Sequence, residues 1–411
     1  MTAAEAHIRA RLAEGGRLTF AEFMALALYG PGGYYCTDRS RIGPAGDFYT
    51  SPTVHPAFGA LLAGQAREIW QRAGRPHAFD ILELGGGRGT LAADLLYALR
   101  EGDPACFAAV RYTVSDLAPP PDVPPAVAHK IAFRPGDAGL PDVVTGLVLA
   151  NEFLDALPVH RVQKLQGKLQ ELYVEIAGDR LCESPGPPSK PDLELQVAPW
   201  FGDLPEGGTA EVSLAMVAFM KRLGAALRGG VALFIDYGGW RSDLLRRPAG
   251  TLRAYWRHRI QPGPFEAIGE ADITCHVDFS SLRNQAAALG FEVLGEISQG
   301  AFLQNLGMAE LRRALAAAPL DPPALAANLA ALEDLVAPAG LGAFRVMALG
   351  AATAGLRLSG IEGGPLPPLC APAATRRHMA LWGGNLPGDA WREVEPPGWS
   401  DLLVGGVEDL D

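Results

Sequence analysis

The sequence predicts an α/β fold in which a largely parallel sheet is covered by helices, with an N-terminal helical section before it and an inserted cap within it. Three observations predict this fold. From Phe79 onward, short apolar runs alternate with helical patterns, and parallel strands require such crossover helices. A glycine-rich turn directly follows the first apolar run. Near residues 160–210 the alternation gives way to hairpin-like and proline-rich sequence, which is typical of an insertion.

The elements follow from these patterns in chain order. The predicted strands of the sheet are FDILELG, RYTVSD, HKIAFRPG, VTGLVLANEF, VALFIDYGG, FEVLGEIS and FRVMALGAA. The predicted helices between them include TLAADLLYALR, VSLAMVAFMKRLGAALRGG, DFSSLRNQAAALG and LAANLAALEDLV. The alternating residues of RVQKLQGKLQELYVEIAGDRL predict one or two hairpins, so we place the cap in this part of the chain.

We divide the chain into three segments on this basis. Residues 1–78 form an N-terminal helical and glycine-loop section, in which Thr19 and Glu22 have the spacing of a capping box. Residues 79–352 form the α/β core with its insertion. Residues 353–411 are rich in Gly and Pro, and we expect them to be a tail that packs loosely on the body.

Composition excludes several classes of protein. A net charge of −11 argues against general binding to nucleic acid. No apolar stretch reaches the roughly 20 residues of a membrane-spanning helix, so membrane insertion is not expected. The N-terminus does not resemble a secretory signal, and the five cysteines are widely spaced without a Cys-x-x-Cys pair. These features favour a cytoplasmic protein without a structural zinc site.

The glycine turn after FDILEL is the first candidate ligand site. A dinucleotide site would require G-x-G-x-x-G, but Glu83 is followed here by Gly85, Gly87 and Gly89 in the pattern E-x-G-x-G-x-G. Glycines let the backbone approach a ligand closely. An acid at the end of the strand suits a cation better than a phosphate. The pattern therefore favours S-adenosyl-L-methionine, which carries a sulfonium and an ammonium group.

Two further acids are candidates for the same ligand. Asp116 ends the next strand, where a carboxylate can accept hydrogen bonds from both ribose hydroxyls. Asp137 follows the third strand in FRPGDAG, where it could contact an adenine amino group. The alternative for each residue is a turn-forming role.

A third constellation lies in LANEFLDALPVHR. Asn151, Glu152 and Asp155 follow an apolar strand, at the carboxyl end where α/β folds bind their ligands. Capping of a short helix is the alternative for any one of them. Together they could hold a cationic nucleophile beside the methyl donor.

Four residues further along the chain have open roles. Asp236 and Tyr237 end another strand and could complete the pocket, or they could form a solvated strand end. Asp278 has the position of a helix N-cap before FSSL. His276 could be a base, although a single histidine near a strand is more often structural.

Several of these motifs together resemble one family. ILELGGGRGTL, ANEFLDALPVHR, FIDYGG, GTLRAYWRHR and DITCHVDFSSL, with GDFYTSPTVHPAFGALL upstream, are similar to the MidA family of S-adenosyl-L-methionine-dependent methyltransferases. The resemblance spans about residues 15–352. It departs at Gly85-Gly86-Gly87, where the family often has Gly-Pro-Gly, and at Thr53-Val54-His55, where the family often has a glutamate.

This resemblance implies a class I, Rossmann-like methyltransferase core with a seven-stranded sheet. It also implies a protein acceptor, because the family includes a mitochondrial assembly factor that methylates an arginine of a respiratory complex I subunit. Glu152 and Asp155 would bind the guanidinium, and neither a metal nor a covalent intermediate is needed. Two alternatives stay open at this point: methylation of a small molecule, and a non-catalytic assembly factor that keeps the fold.

Overall fold

The structure of the chain is a computed structural model that describes residues 1–36, 50–117, 119, 123–136, 139–257, 259–364, 366–375 and 378. The strands are β1 (Leu18–Thr19), β2 (Phe79–Leu84), β3 (Val110–Asp116), β4 (Ile131–Pro135), β5 (Val144–Asn151), β6 (His160–Leu165), β7 (Lys168–Ala177), β8 (Arg180–Gly186), β9 (Thr209–Val212), β10 (Leu227–Asp236), β11 (Gly238–Gly239), β12 (Arg253–Trp256), β13 (Arg259–Ile260), β14 (Asp272–Thr274), β15 (Val277–Asp278), β16 (Glu292–Ser298) and β17 (Arg345–Ala351). The helices are α1 (Ala3–Gly15), α2 (Phe20–Tyr29), α3 (Ser51–Val54), α4 (Ala57–Arg72), α5 (Thr90–Gly102), α6 (Pro104–Ala109), α7 (Pro125–Ala128), α8 (Pro191–Val197), α9 (Leu214–Ala226), α10 (Arg241–Leu244), α11 (Phe279–Ala288), α12 (Gln299–Asn305), α13 (Met308–Ala316), α14 (Pro322–Val336) and α15 (Ser359–Glu362).

The chain divides into two compact units. Unit 1 comprises the described parts of Met1–Arg41, Glu152–Gly224 and Asp236–Leu289. Unit 2 comprises the described parts of Ile42–Asn151, Ala225–Ile235 and Gly290–Asp411. Each unit is therefore assembled from segments that are far apart in the sequence. The three-segment division of the sequence analysis has other boundaries and stays a prediction.

Unit 2 is built on a seven-stranded sheet with the strand order β16-β17-β10-β5-β2-β3-β4. The neighbouring strands from β10 to β4 run parallel, whereas β16 and β17 are antiparallel. This arrangement confirms the predicted class I methyltransferase sheet. The register pairs Leu84 with both Ala150 and Ser115, and Ala150 with Phe234. The carboxyl ends of β2, β3, β5 and β10 consequently share one edge, the place where parallel sheets bind ligands.

The core of unit 2 extends beyond the α/β elements. Helices α4 and α5 bury most of their side chains in it. Leu358, Leu366 and Ala373 from the predicted tail belong to the same hydrophobic cluster. His378 is fully buried and contacts Asp94 of α5 at 2.9 Å. The expectation of a loosely packed tail is therefore wrong for the described residues 366–375 and 378, because their apolar side chains leave water on folding. Residues 365, 376, 377 and 379–411 of that tail lie outside the described residues.

Unit 1 contains a five-stranded sheet in which the path β1-β7-β6-β9 is extended by β8 on β7. The hairpins predicted for the insertion are strands β6 to β8. Strand β1 pairs with β7, with Leu18 opposite Val174. The N-terminal section and the insertion thus form one sheet. The predicted capping box is confirmed, since the Thr19 and Glu22 side chains each accept a hydrogen bond from the other residue's backbone.

One described segment, Pro322–Ala343, is long and apolar enough to cross a membrane by length and composition alone. Ala331, Leu332 and Leu335 of this segment lie in the core of unit 2. A core helix of a folded domain passes the same test, so the segment is weak evidence for a membrane span.

Candidate active site

The glycine turn connects β2 to α5 in unit 2. Gly85, Gly87 and Gly89 have φ values of +67°, +53° and +73°, a backbone conformation that residues other than glycine rarely adopt. The Gly85 N–H donates to the Ser115 carbonyl at 2.8 Å, and the Gly89 N–H donates to the Gly86 carbonyl at 2.9 Å. The turn is therefore closed by backbone hydrogen bonds, and it leads directly into the N-terminus of α5.

Gly86 allows a further close approach within the turn. A Cβ atom at this position would lie 2.6 Å from Cγ1 of Val114 and 3.1 Å from Cδ of Glu83. The absence of a side chain thus lets the turn pack directly against β3.

Glu83 is a buried acid beside this turn, with 4% of its surface exposed. The Tyr112 hydroxyl donates to Oε2 of Glu83 at 2.8 Å. The pKa of Glu83 is raised to about 8, mainly by burial; the Tyr112 hydrogen bond lowers it, and the charges of Asp116 and Asp94 make smaller contributions that raise it. A positively charged ligand next to Glu83 would favour its ionised form.

Asp116 ends β3 and is tied to the glycine turn. Its Oδ2 accepts a hydrogen bond of 2.7 Å from the Gly87 N–H, and its Oδ1 accepts one of 2.6 Å from the Leu117 N–H. Each carboxylate oxygen can accept a second hydrogen bond, so these contacts are compatible with ribose hydroxyls. Asp137, the candidate for the adenine, lies outside the described residues, and its role stays a prediction.

The residues around the turn fit S-adenosyl-L-methionine. Glu83 is a buried carboxyl group that a cation would stabilise in its charged form. The three glycines with positive φ expose backbone rather than side chains to a ligand. These features are local to unit 2 and follow from β2, its turn and β3.

Asn151 and Glu152 follow one another at the end of β5. Asn151 is the last residue of the strand and pairs in register with Ile235 of β10. Glu152 has a φ of +50°, which is costly for a residue with a Cβ. Such strained positions often occur at functional sites.

Asp155 and Asp236 form a buried network in unit 1. Oδ2 of Asp236 accepts hydrogen bonds from the backbone N–H groups of Phe153, Leu154 and Asp155 at 3.2, 3.0 and 3.3 Å. Oδ1 of Asp236 accepts a fourth from the Tyr237 N–H at 2.9 Å. Asp236 therefore holds the backbone of the 153–155 loop in place and is not a solvated strand end.

Tyr237 and Asp155 are joined directly, since the Tyr237 hydroxyl donates to Oδ2 of Asp155. Burial raises the pKa of Asp155 to about 6, and hydrogen bonds from Tyr237 and nearby backbone N–H groups oppose this shift. The pKa of Asp236 is raised well above its usual range by burial and then by the charges of Asp155 and Glu152. The charges of Asp155 and Glu152 therefore act on the carboxyl group of Asp236, which is buried.

The structure also assigns local roles to Asp278 and His276, the other two of the four residues whose roles the sequence left open. Asp278 accepts a hydrogen bond from the Ser281 N–H at 3.1 Å, which makes it the N-cap of α11, and it also pairs with Arg241. His276 packs edge-on against Tyr237 with ring centroids 5.6 Å apart. Burial and the nearby Arg247 and Arg253 lower the pKa of His276 to about 4. A neutral imidazole in this packing is consistent with a structural role.

Sequence reasoning missed Tyr112 and Tyr35. The Tyr112 hydroxyl donates to Glu83, and the charge of Asp155 contributes to the raised pKa of Tyr35. A tyrosine in a strand or a glycine-rich loop carries no local signal for such a contact. The three aromatic residues of YGPGGYY were the feature that could have drawn attention to Tyr35.

Comparison with known proteins identifies the same activity. A family described as "Putative S-adenosyl-L-methionine-dependent methyltransferase" matches residues 61–297. The chain is 32% identical over 346 residues to the mitochondrial protein arginine methyltransferase NDUFAF7 homolog of Drosophila melanogaster, covering 75% of this chain and 76% of that protein. It is 30% identical over 337 residues to the mitochondrial protein arginine methyltransferase NDUFAF7 of Homo sapiens, covering 74% of this chain and 73% of that protein.

Solved structures agree with these relatives. A protein from Burkholderia thailandensis, crystallised with S-adenosyl-homocysteine, superposes with a TM-score of 0.77 at 30% identity. The superposition covers 88% of this chain and 95% of that protein. A native crystal structure from the same organism gives a TM-score of 0.75. The fold and the activity thus agree with the resemblance drawn from the sequence motifs.

The comparisons correct the expected location. The sequence analysis favoured a cytoplasmic protein, but the curated relatives are named as mitochondrial proteins. That expectation is therefore wrong. The reason is that the absence of a secretory signal and the cysteine spacing report on secretion and oxidation, and neither separates one reducing compartment from another.

Proposed function

Because the chain belongs to the MidA-like family of S-adenosyl-L-methionine-dependent methyltransferases, we propose that it methylates an arginine side chain of a protein acceptor. The enzyme class follows from the family. The acceptor is the proposal, and it is supported by the names of the relatives and by the acids around Asp155. The buried position of Asp155 beside Asp236 and Tyr237 is the observation that carries it.

The donor would be held by residues of unit 2. We assign this role to Glu83, Gly85, Gly87, Gly89 and Asp116. Glu83 would face positive charge, Asp116 would accept hydrogen bonds from ribose hydroxyls, and the glycines would let the backbone lie against the ligand. When bound, S-adenosyl-L-methionine supplies a methyl group, which leaves sulfur as it forms a bond to nitrogen.

The acceptor requires negative charge and a place for one proton. A guanidinium stays protonated at ordinary pH, so one N–H proton must leave when nitrogen is methylated. We assign Glu152 and Asp155 to bind the guanidinium and to accept that proton; a catalytic role for Asn151, which ends β5 in unit 2, stays a prediction from the sequence. The pKa of about 6 for Asp155 suits a carboxylate that acts as a base and accepts a proton near neutral pH.

The relatives' mitochondrial names and the family resemblance also support a choice of acceptor. We propose a subunit of a respiratory complex as the first protein to test. Its arginine would have to be accessible on a free or partly assembled subunit, because a fully buried arginine could not reach an enzyme.

The test is an isotope-transfer experiment. The purified protein is incubated with S-adenosyl-L-methionine labelled with deuterium in the methyl group and an extract of cells lacking this protein. Mass spectrometry then locates labelled residues. Labelled methylarginine that is absent with Glu152→Gln supports the proposal. Label on lysine, on another side chain or only on small molecules would overturn it.

A further inference from the structure

The N-terminal part of unit 1 contributes an aromatic group beside the proposed acceptor acids. Tyr29 stacks on Tyr35 with ring centroids 5.5 Å apart and an interplanar angle of 17°. Tyr34 packs edge-on against Tyr35 with centroids 5.0 Å apart. The Tyr29 hydroxyl donates to the carbonyl of Ala156 at 2.8 Å. This aromatic group is therefore anchored to the residue that follows Asp155.

Tyr35 also contacts a carboxyl group of unit 1. Its hydroxyl donates to Oδ1 of Asp272 at 3.0 Å. Burial raises the pKa of Tyr35 well above its usual range, and the charges of Asp272 and Asp155 add to that effect. Tyr35 thus binds the carboxyl group of Asp272, and part of its surface stays accessible.

The two oxygens of Asp155 have different surroundings. Its Oδ2 is occupied by the Tyr237 hydroxyl. Its Oδ1 is buried and accepts no hydrogen bond of regular geometry from the residues that the structure describes. Asp155 as a whole is 5% exposed. Nearby backbone N–H groups interact with the Asp155 carboxyl group, and a ligand N–H of regular geometry at Oδ1 would stabilise this buried carboxylate further.

We propose that Tyr35, with Tyr29 stacked on it, is the arginine-selecting wall of the acceptor site, and that a guanidinium donates to Oδ1 of Asp155 while it packs against these rings. The inference rests on the proposed function and adds the residues that select arginine over other acceptor side chains. A planar guanidinium stacks on aromatic rings and presents several N–H donors to carboxylates. A lysine ammonium is a strongly hydrated point charge that gains less from the same surroundings.

Two blocked amino acids serve as probes, N-acetyl-L-arginine amide and N-acetyl-L-lysine amide. Binding to the full-length protein is measured by saturation-transfer NMR with S-adenosyl-homocysteine present. The arginine probe should bind at least about 10-fold more tightly than the lysine probe. Tyr35→Leu keeps apolar volume without a ring and should weaken arginine binding about 10-fold. Tyr35→Phe keeps the ring and should have a smaller effect.

The matched control is Tyr173→Leu in the same unit. The Tyr173 ring packs under Arg17 and its hydroxyl donates to the Pro187 carbonyl at 2.7 Å, so its loss should leave arginine binding unchanged. Melting temperatures show which variants are folded. If Tyr35→Leu does not fold, Tyr237→Phe provides the second test, because it frees Oδ2 of Asp155 and should change arginine affinity.

Equal affinity for the two probes would overturn the inference, and so would unchanged arginine binding in Tyr35→Leu. The proposed function fails separately, through the absence of labelled methylarginine in the extract experiment. Arginine methylation that persists undiminished in Tyr35→Leu would refute the role of Tyr35 alone. Selective arginine binding without methylarginine would refute the proposed reaction and leave the binding site intact.

Discussion

The backbone N–H of Gly87 donates a 2.7 Å hydrogen bond to the carboxylate of Asp116, which lies 29 residues later in the chain. This bond joins the glycine turn after β2 to the end of β3. A residue chosen from the sequence for its ability to bind ribose therefore also holds the turn that a donor would contact.

Removal of the Asp116 carboxylate should weaken donor binding. Asp116→Ala loses the acceptor for Gly87 and the proposed acceptor for ribose hydroxyls, so the affinity for S-adenosyl-L-methionine should fall at least about 10-fold. Titration calorimetry measures the change. The control is Asp80→Ala, at the opposite end of β2, where the carboxylate binds Arg111 on the surface. Equal losses in both variants would assign the effect to general destabilisation.

Glu83 should make the stability of the ligand-free protein depend on pH. Its pKa rises from an ordinary value of 4.5 to about 8 on folding. A raised pKa contributes stability that is complete below pH 4.5 and is lost as the pH rises through 8. Glu83→Gln cannot ionise, so its stability advantage over the wild type should grow between pH 5 and pH 8.5, by on the order of 4 kcal/mol at most.

Denaturant unfolding at several pH values measures this difference. The other titrating groups are common to both proteins and largely cancel in the comparison. A stability difference between wild type and Glu83→Gln that stays constant across this pH range would show that Glu83 does not have a raised pKa.

Gly86→Ala should destabilise the turn through a steric contact. The new Cβ would meet Cγ1 of Val114 at 2.6 Å, and overpacking of this kind typically costs about 1–3 kcal/mol. Gly202→Ala is the matched control, because nothing lies within 4 Å of a Cβ built at Gly202. Differential scanning calorimetry should show a lower melting temperature for Gly86→Ala only. Introducing Val114→Ala as well should restore part of the loss.

Two substitutions of Glu152 separate the effect of its charge on methyl transfer from the effect of its backbone strain on stability. Its φ of +50° costs roughly 1 kcal/mol for a residue with a side chain. Glu152→Gly should therefore keep or slightly raise the melting temperature while it abolishes methyl transfer. Glu152→Gln keeps the strain and should also lose transfer, with donor affinity unchanged in both variants. Turnover by either variant at the wild-type rate would refute the proposed role of the carboxylate.

Asp236→Asn should disorder the 153–155 loop. All four hydrogen bonds to Asp236 come from backbone N–H groups, and an amide NH₂ would face some of these donors without an acceptor. Methyl transfer should fall at least about 10-fold while donor affinity is retained. Asp243→Asn, at an exposed ion pair with Arg246, is the control. The two rates and the two donor affinities decide the outcome.

Part of this protein could be predicted because it depends on local spacing. The alternation of strands and helices predicted a parallel sheet covered by helices, and the family resemblance predicted its seven strands. The capping box of Thr19 and Glu22 and the N-cap at Asp278 were readable, since each joins a side chain to a backbone group three residues away. Glu83 and Asp116 could be placed at one edge because parallel strands end on the same side of a sheet.

Only the tertiary structure decided the partners of these residues. Tyr112 lies 29 residues from Glu83, Tyr35 lies 237 residues from Asp272, and β1 pairs with a strand of the insertion. A single sequence contains no local pattern for such contacts, because they form when distant segments pack together. The pKa of Glu83 follows from that packing, since burial sets it. The sequence by itself therefore determined which chemical groups stand at the strand ends, and the fold determined which of them are buried, charged and paired.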